Sequence, residues 1–196
     1  MGEFCQYQPL TRWEKVTVVL YRAGIAMSCL IAIGVSFMLL KPSYFKSPLL
    51  PIIMLGLLYM STGMSVLSIH LYVRKYKETL KILYSISALS GAVLFILSKG
   101  DVLWLLATPY GPLFLIPLSC CLGFITAKEA FCFKLYEGYI LALIMPFYLI
   151  MLSLRGLRGI VPFYGFLAIA FLLLLFTLRK VFMPLHCDIG DKTAYQ

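Results

Sequence analysis

The chain has 196 residues, 62% of them hydrophobic and only 13% charged, with a net charge of +9 and a mean hydropathy of +0.94. A water-soluble domain of this size needs more surface charge than that, so lipid is the solvent for most of the chain. The basic residues come in short bursts between apolar runs, as membrane topology signals do. They do not form the patches of a nucleic-acid groove, and no nucleic-acid partner is expected.

A helix needs about 20 mostly apolar residues to cross roughly 30 Å of hydrocarbon. The sequence predicts an all-α, polytopic membrane bundle of about six such helices. They lie near 16–40, 49–73, 80–98, 108–132, 138–154 and 160–178, in one integral membrane domain over 1–196. The first run is too long for a signal-peptide core and lacks a small-residue cleavage site after it, so it reads as a retained helix. Within it Gly24, Ser28, Ala32 and Ser36 recur every four residues, a small-residue ridge that another helix can approach closely. Packing inside one subunit is the first reading of that ridge, and a homo-oligomer or membrane-partner face is the alternative.

The second span closes on His70, just before the basic burst around Arg74, Lys75 and Lys77. Ser87 and Gly91 form a shorter small-residue pair in the third. Pro109, Pro112 and Pro117 crowd the start of the fourth, so "TPYGP" is either a kink or a helix start after a short re-entrant piece near 102–112. Pro146 is expected to kink the fifth span.

Length then singles out "TAKEAFCFKLYE", residues 126–137. A fourth helix starting near Pro112 and ending at Ala127 would be about 22 Å long, too short to cross the hydrocarbon. It must run on to about Cys132, which places Lys128 and Glu129 a turn inside the boundary. On a helix Lys128, Glu129 and Cys132 share a side. The stretch therefore reads as an interfacial helix end and not as a generous aqueous loop.

With six spans, Arg12, Lys15, Arg74, Lys75, Lys77, Lys81, Lys128, Lys134, Arg179, Lys180 and Lys192 fall on one side. Lys41, Lys46, Lys99, Arg155 and Arg158 fall on the other. The positive-inside rule puts the first side, with both termini, in the cytoplasm, and the protein in the cytoplasmic (inner) membrane. Seven of the eight acidic residues lie on that side too.

A candidate functional cluster follows: Arg22, His70, Lys128, Glu129, Cys132 and Glu137. An ionised Glu129 near hydrocarbon needs a cation, and Arg22, inside the first span on the same side, is a candidate partner. In the bland alternative Arg22 and Lys128 snorkel to lipid phosphates and Glu129 faces water. The six cysteines contain no CxxC pair and read as reduced, mostly buried thiols. His70, Cys132, His186 and Cys187 lack the spacing of a zinc site, so no metal or cofactor is assigned. Phosphate-binding loops, GxGxxG, HExxH and GxSxG are absent.

"GEF" near the start, "VVLYRAG" entering the first span, the histidine ending the second and "AKEAFCF" before the fifth together resemble the uncharacterised integral membrane proteins of domain-of-unknown-function family 2301. The resemblance covers most of the chain and rests chiefly on "YRAG" and "KEAFCF". It implies a prokaryotic multi-pass membrane protein of no known activity, cofactor or substrate. It points to Tyr21, Arg22, Lys128, Glu129 and Cys132 without giving them roles.

Three functions are then weighed. The leading one is small-solute or ion transport through the cytoplasmic-side polar cluster. A non-enzymatic scaffold or assembly factor is the alternative. An enzyme using Cys132, with Glu129 or His70 as base, comes third because no diagnostic motif supports it.

Overall fold

In a computed structural model of the chain, residues 9–40, 47, 49–71, 73–154 and 160–189 are described. Lys41, Lys46, Arg155, Arg158, Lys192, Cys5 and the "GEF" stretch, all used in the sequence reading, lie outside them. The described residues are helical, without strands: α1 (Arg12–Leu40), α2 (Leu49–Ser68), α3 (Arg74–Ser98), α4 (Val102–Leu106), α5 (Ile116–Phe133), α6 (Tyr136–Ser153) and α7 (Val161–Val181). A 3₁₀ turn, Gly111–Leu115, leads into α5, and another, Leu185–Asp188, follows α7. Among the described residues six helices are long and apolar enough to span a membrane, the fourth being Gly111–Phe133.

Helix ends follow local chemistry more than hydropathy. Thr11 and Glu14 form a reciprocal cap, each side chain accepting from the other's backbone N–H, so α1 starts four residues before the apolar run. The charged residues from Arg74 onward are helical as well, and α3 begins there, not at residue 80. The proline-rich stretch is a helix start: Pro112 and Pro117 occupy first-turn positions, where a missing N–H costs nothing. Ahead of it lies the five-residue α4, capped by Asp101 accepting from the Trp104 N–H and packed through Val102 and Leu105 against Leu94. Pro146 sits inside α6, which runs on through it as one helix.

The six long helices close a ring in which each packs on the next: α2, α1, α7, α6, α5, α3 and back to α2. The core runs down the middle through Tyr21, Ile25, Val66, Ile125, Leu141, Leu173 and Phe176. Large apolar side chains such as Leu89, Ile96, Leu143 and Phe182 point outward, as a lipid solvent requires.

Lipid tails are as apolar as leucine, so close packing and hydrogen bonds must hold such helices together. Gly24 lies directly against Ser61 and Ser65 of α2, where a Cβ would collide with backbone. Ser28 shares a 2.8 Å hydrogen bond with Ser61, and Ser65 donates to the Tyr21 carbonyl at 3.0 Å. The ridge Gly24, Ser28, Ala32 and Ser36 is thus buried within the chain, Gly24 and Ser28 directly on α2. For Gly24 and Ser28 this is the first reading of the ridge, packing inside one subunit. Gly91 likewise faces Tyr59 of α2.

Candidate functional site

One end of the ring gathers the N-terminal third of α1, the end of α2, the start of α3, the end of α5, the start of α6 and the end of α7. α5 runs to Phe133 and closes on Lys134 in the left-handed conformation (φ 55°), with buried Leu135 leading straight into α6. No room is left for a wet loop. Gly138 makes that tight return possible, since a Cβ there would press on the Thr126 backbone and the Ala130 side chain.

Glu129 projects inward from this helix end and is wholly buried. Its Oε1 accepts from Lys128 Nζ and from the Tyr21 hydroxyl, each at 2.7 Å. Its Oε2 is met by Lys180 Nζ and by no hydrogen-bond donor besides among the described residues. Lys180, also wholly buried, bridges on to Asp188 Oδ1 and lies 4.2 Å from the centre of the Phe133 ring. Asp188 Oδ2 accepts from Arg22 Nε at 2.8 Å. The Arg22 guanidinium then caps the end of α7 and the turn beyond it. It donates to the carbonyls of Val181 (3.1 Å), Met183 and Pro184 (3.0 Å).

The result is one continuous chain of charge, Arg22–Asp188–Lys180–Glu129–Lys128, tying α1, α5, α7 and the tail together. Groups this buried persist as ions only when paired and hydrogen-bonded. Here each carboxylate serves two cations. The expected Arg22–Glu129 pair is therefore corrected: the two sit three links apart, with Asp188 and Lys180 between them, because Asp188, folded back under α1, takes the guanidinium first. The water-facing alternative fails as well, since Glu129 is 0% exposed and Arg22 6%.

Of the other candidates, His70 lies two residues beyond α2, with Nε2 in a 3.3 Å hydrogen bond to Thr17 Oγ1 of α1. Burial first, then Lys128 and Lys77, push its pKa below the usual 6.5, against the opposing pull of Asp188 and Glu14. Glu137 stands apart from the chain of charge, held by Arg179 Nη1 at 2.8 Å to both carboxylate oxygens. Cys29, Cys120, Cys121 and Cys132 are free, whereas Cys187 is disulfide-bonded, which corrects the all-reduced expectation at that position. Among the described residues no three His, Cys, Asp or Glu side chains come together as metal ligands do.

Beside the charged chain lies a cavity of about 450 Å³. His70, Lys128, Cys132 and Asp188 supply its polar wall, and Leu71, Val73, Phe124, Phe131 and Phe133 much of its apolar one. The structure thus brings four of the predicted residues, Arg22, Lys128, Glu129 and (across the cavity) His70, to one end, with Cys132 beside them. Lys180 and Asp188 went unseen as site residues. In the sequence Lys180 counted only among the basic residues of that side, and Asp188 only among its acidic ones.

Residues 64–196 match the family described as "Uncharacterized integral membrane protein (DUF2301)". The chain belongs to the DUF2301 family. The matched part of this DUF2301 protein holds His70, Lys128, Glu129, Cys132, Glu137, Lys180 and Asp188, while Tyr21, Arg22 and the small-residue ridge precede it. An uncharacterized protein of Haemophilus influenzae is similar over nearly the whole chain, with 26% identity across 191 residues, 96% of this chain and 95% of that protein. No solved structure matches.

Proposed function

We propose that this DUF2301 protein is a small-solute carrier whose binding chamber is the cavity beside Lys128. In this reading the chain of charge from Arg22 to Lys128 is the gate that holds the tail across that end of the bundle. One observation carries it: a largely buried charge network shares a wall, Lys128 and Asp188, with a roomy apolar-lined chamber. Intramembrane ions are expensive, and they recur where a membrane protein moves or binds something polar. The chamber's size falls within the roughly 300–1,000 Å³ of small-molecule sites.

The gathered basic residues support a cytoplasmic placement of this end, with both termini, in the cytoplasmic membrane. The Cys187 disulfide is the observation on the other side, because disulfides persist in oxidising compartments. Tags at the termini decide: access from outside intact cells overturns the placement.

The scaffold reading is favoured by a different observation, that the buried carboxylates of the network are all paired within the chain. Reconstitution separates the two. Proteoliposomes loaded with a pH-sensitive dye and put under ion and proton gradients should show flux above that of empty vesicles. Absence of flux under every gradient, with a partner that co-purifies in fixed ratio, selects the scaffold.

A further inference from the structure

Among the described residues, the charges of the network beside the cavity do not balance. Arg22, Lys128 and Lys180 supply three positive charges, while Glu129 and Asp188 supply two negative ones. Both Asp188 oxygens are taken by Arg22 and Lys180, and both Glu129 oxygens by Tyr21, Lys128 and Lys180. The side chains of Arg22 and Lys180 are sealed away, at 7% and 0% exposed, but that of Lys128 is 11% exposed and forms part of the cavity wall. The surplus positive charge therefore reaches the cavity through Lys128. An ammonium has three N–H donors, and one of them is spent on Glu129. Opposite stands His70, which its lowered pKa keeps neutral at pH 7 and which adds no charge; Glu14 of α1 is the further carboxylate within electrostatic reach of it.

Asp188, with both oxygens held by Arg22 and Lys180, and Cys132 complete the polar wall; the rest is largely apolar, and its rim carries large exposed aromatics, Phe131 at 77% and Tyr76 at 54%. A free inorganic anion would satisfy Lys128 and leave that wall bare. A neutral apolar solute would fill the wall and leave the ammonium short of an acceptor.

We infer that the cavity binds an amphiphile with one acidic headgroup, its carboxylate or phosphate on Lys128 and its alkyl chain along Phe124 and Phe131. This deepens the carrier reading by naming the substrate class, and it rests on the same chamber being the binding site. Such a molecule comes either as a free alkyl acid or as an anionic phospholipid.

The test uses the full chain purified in a nonionic maltoside, with radiolabelled dodecanoate below its micellar concentration. Saturable binding is expected, with dodecanol and dodecyltrimethylammonium competing about tenfold less well, the cost of losing one charge-assisted hydrogen bond. Lys128→Gln should weaken dodecanoate about tenfold by the same reasoning. Ala127→Trp, which fills the cavity from a position outside the chain of charge, should abolish binding while the protein stays monodisperse; it carries the test if Lys128→Gln does not fold. Equal competition by dodecanol, displacement by inorganic phosphate, or full binding by folded Ala127→Trp overturns the inference. Displacement by phosphatidylglycerol but not phosphatidylcholine assigns a membrane lipid as the source, and dodecanoate binding untouched by either assigns a free acid. Binding without flux would keep this site and end the carrier reading, and flux without binding would do the reverse.

Discussion

Replacing Glu129 by alanine removes one carboxylate from a closed network of three cations and two anions, Arg22, Lys128 and Lys180 against Glu129 and Asp188. Asp188 is left alone with all three positive charges. Lys180 is wholly buried and keeps only its contact to Asp188 and its position over Phe133. Breaking a buried pair from one side costs about 3–5 kcal/mol, because the remaining charge has lost its partner but not its desolvation penalty. For a chain of this length each kcal/mol moves the midpoint by roughly 2–4 °C, so Glu129→Ala should melt about 10 °C below the parent in detergent. Lys180→Met should be costly for the mirror reason. The double variant removes both members of one pair, restores the original surplus of a single positive charge, and should melt above Glu129→Ala alone. The assay is thermal unfolding followed by a thiol-reactive dye, checked by size exclusion. A double variant whose loss equals the sum of the single losses would refute the reasoning, because independent sites add and members of one network do not.

The same cycle run on Arg22 and Asp188 should give strong coupling, and on Arg22 and Glu129 a much weaker one, since Asp188 and Lys180 stand between them. For His70 the folded state holds the ring neutral, its pKa lowered by burial and by Lys128 and Lys77. Its contribution is therefore complete above about pH 6.5 and is lost as pH falls from there through the folded pKa, so the midpoint should drop on acidification. His70→Gln should flatten that part of the profile; an unchanged pH slope would remove His70 as its source. Gly24→Ala should cost about 1–3 kcal/mol by forcing α1 off α2, whereas Ser28→Ala should cost about 0.6 kcal/mol, both read from detergent melting. In labelling, a small maleimide should reach cavity-lining Cys132 well before Cys121, which is 0% exposed, and mass spectrometry of timed digests resolves the order.

The spans were legible because lipid imposes a length and a composition, and each helix can be found from its own residues. Their ends were less so: α1 starts at a Thr11–Glu14 cap and α3 at Arg74, where capping and helix propensity prevail over hydropathy. Lys128 and Glu129 stood out for the same local reason, because α5 is too short without them. Asp188 and Lys180 did not. Their importance comes from the tail folding back under α1, a contact between residues 166 apart in the chain that leaves no periodic trace. The small-residue ridge shows the opposite limit: sequence marks a face built for close approach but not which helix approaches it, and here α2 does.

The claim that the cavity beside Lys128 is the working site meets its most direct test in proteoliposomes. Efflux of radiolabelled dodecanoate should be measured for the parent chain and for Ala127→Trp, at matched and verified incorporation. Protein-dependent efflux that Ala127→Trp abolishes is the predicted result. Efflux equal in the two proteins would place the path elsewhere in the bundle, and efflux in neither would contradict the carrier.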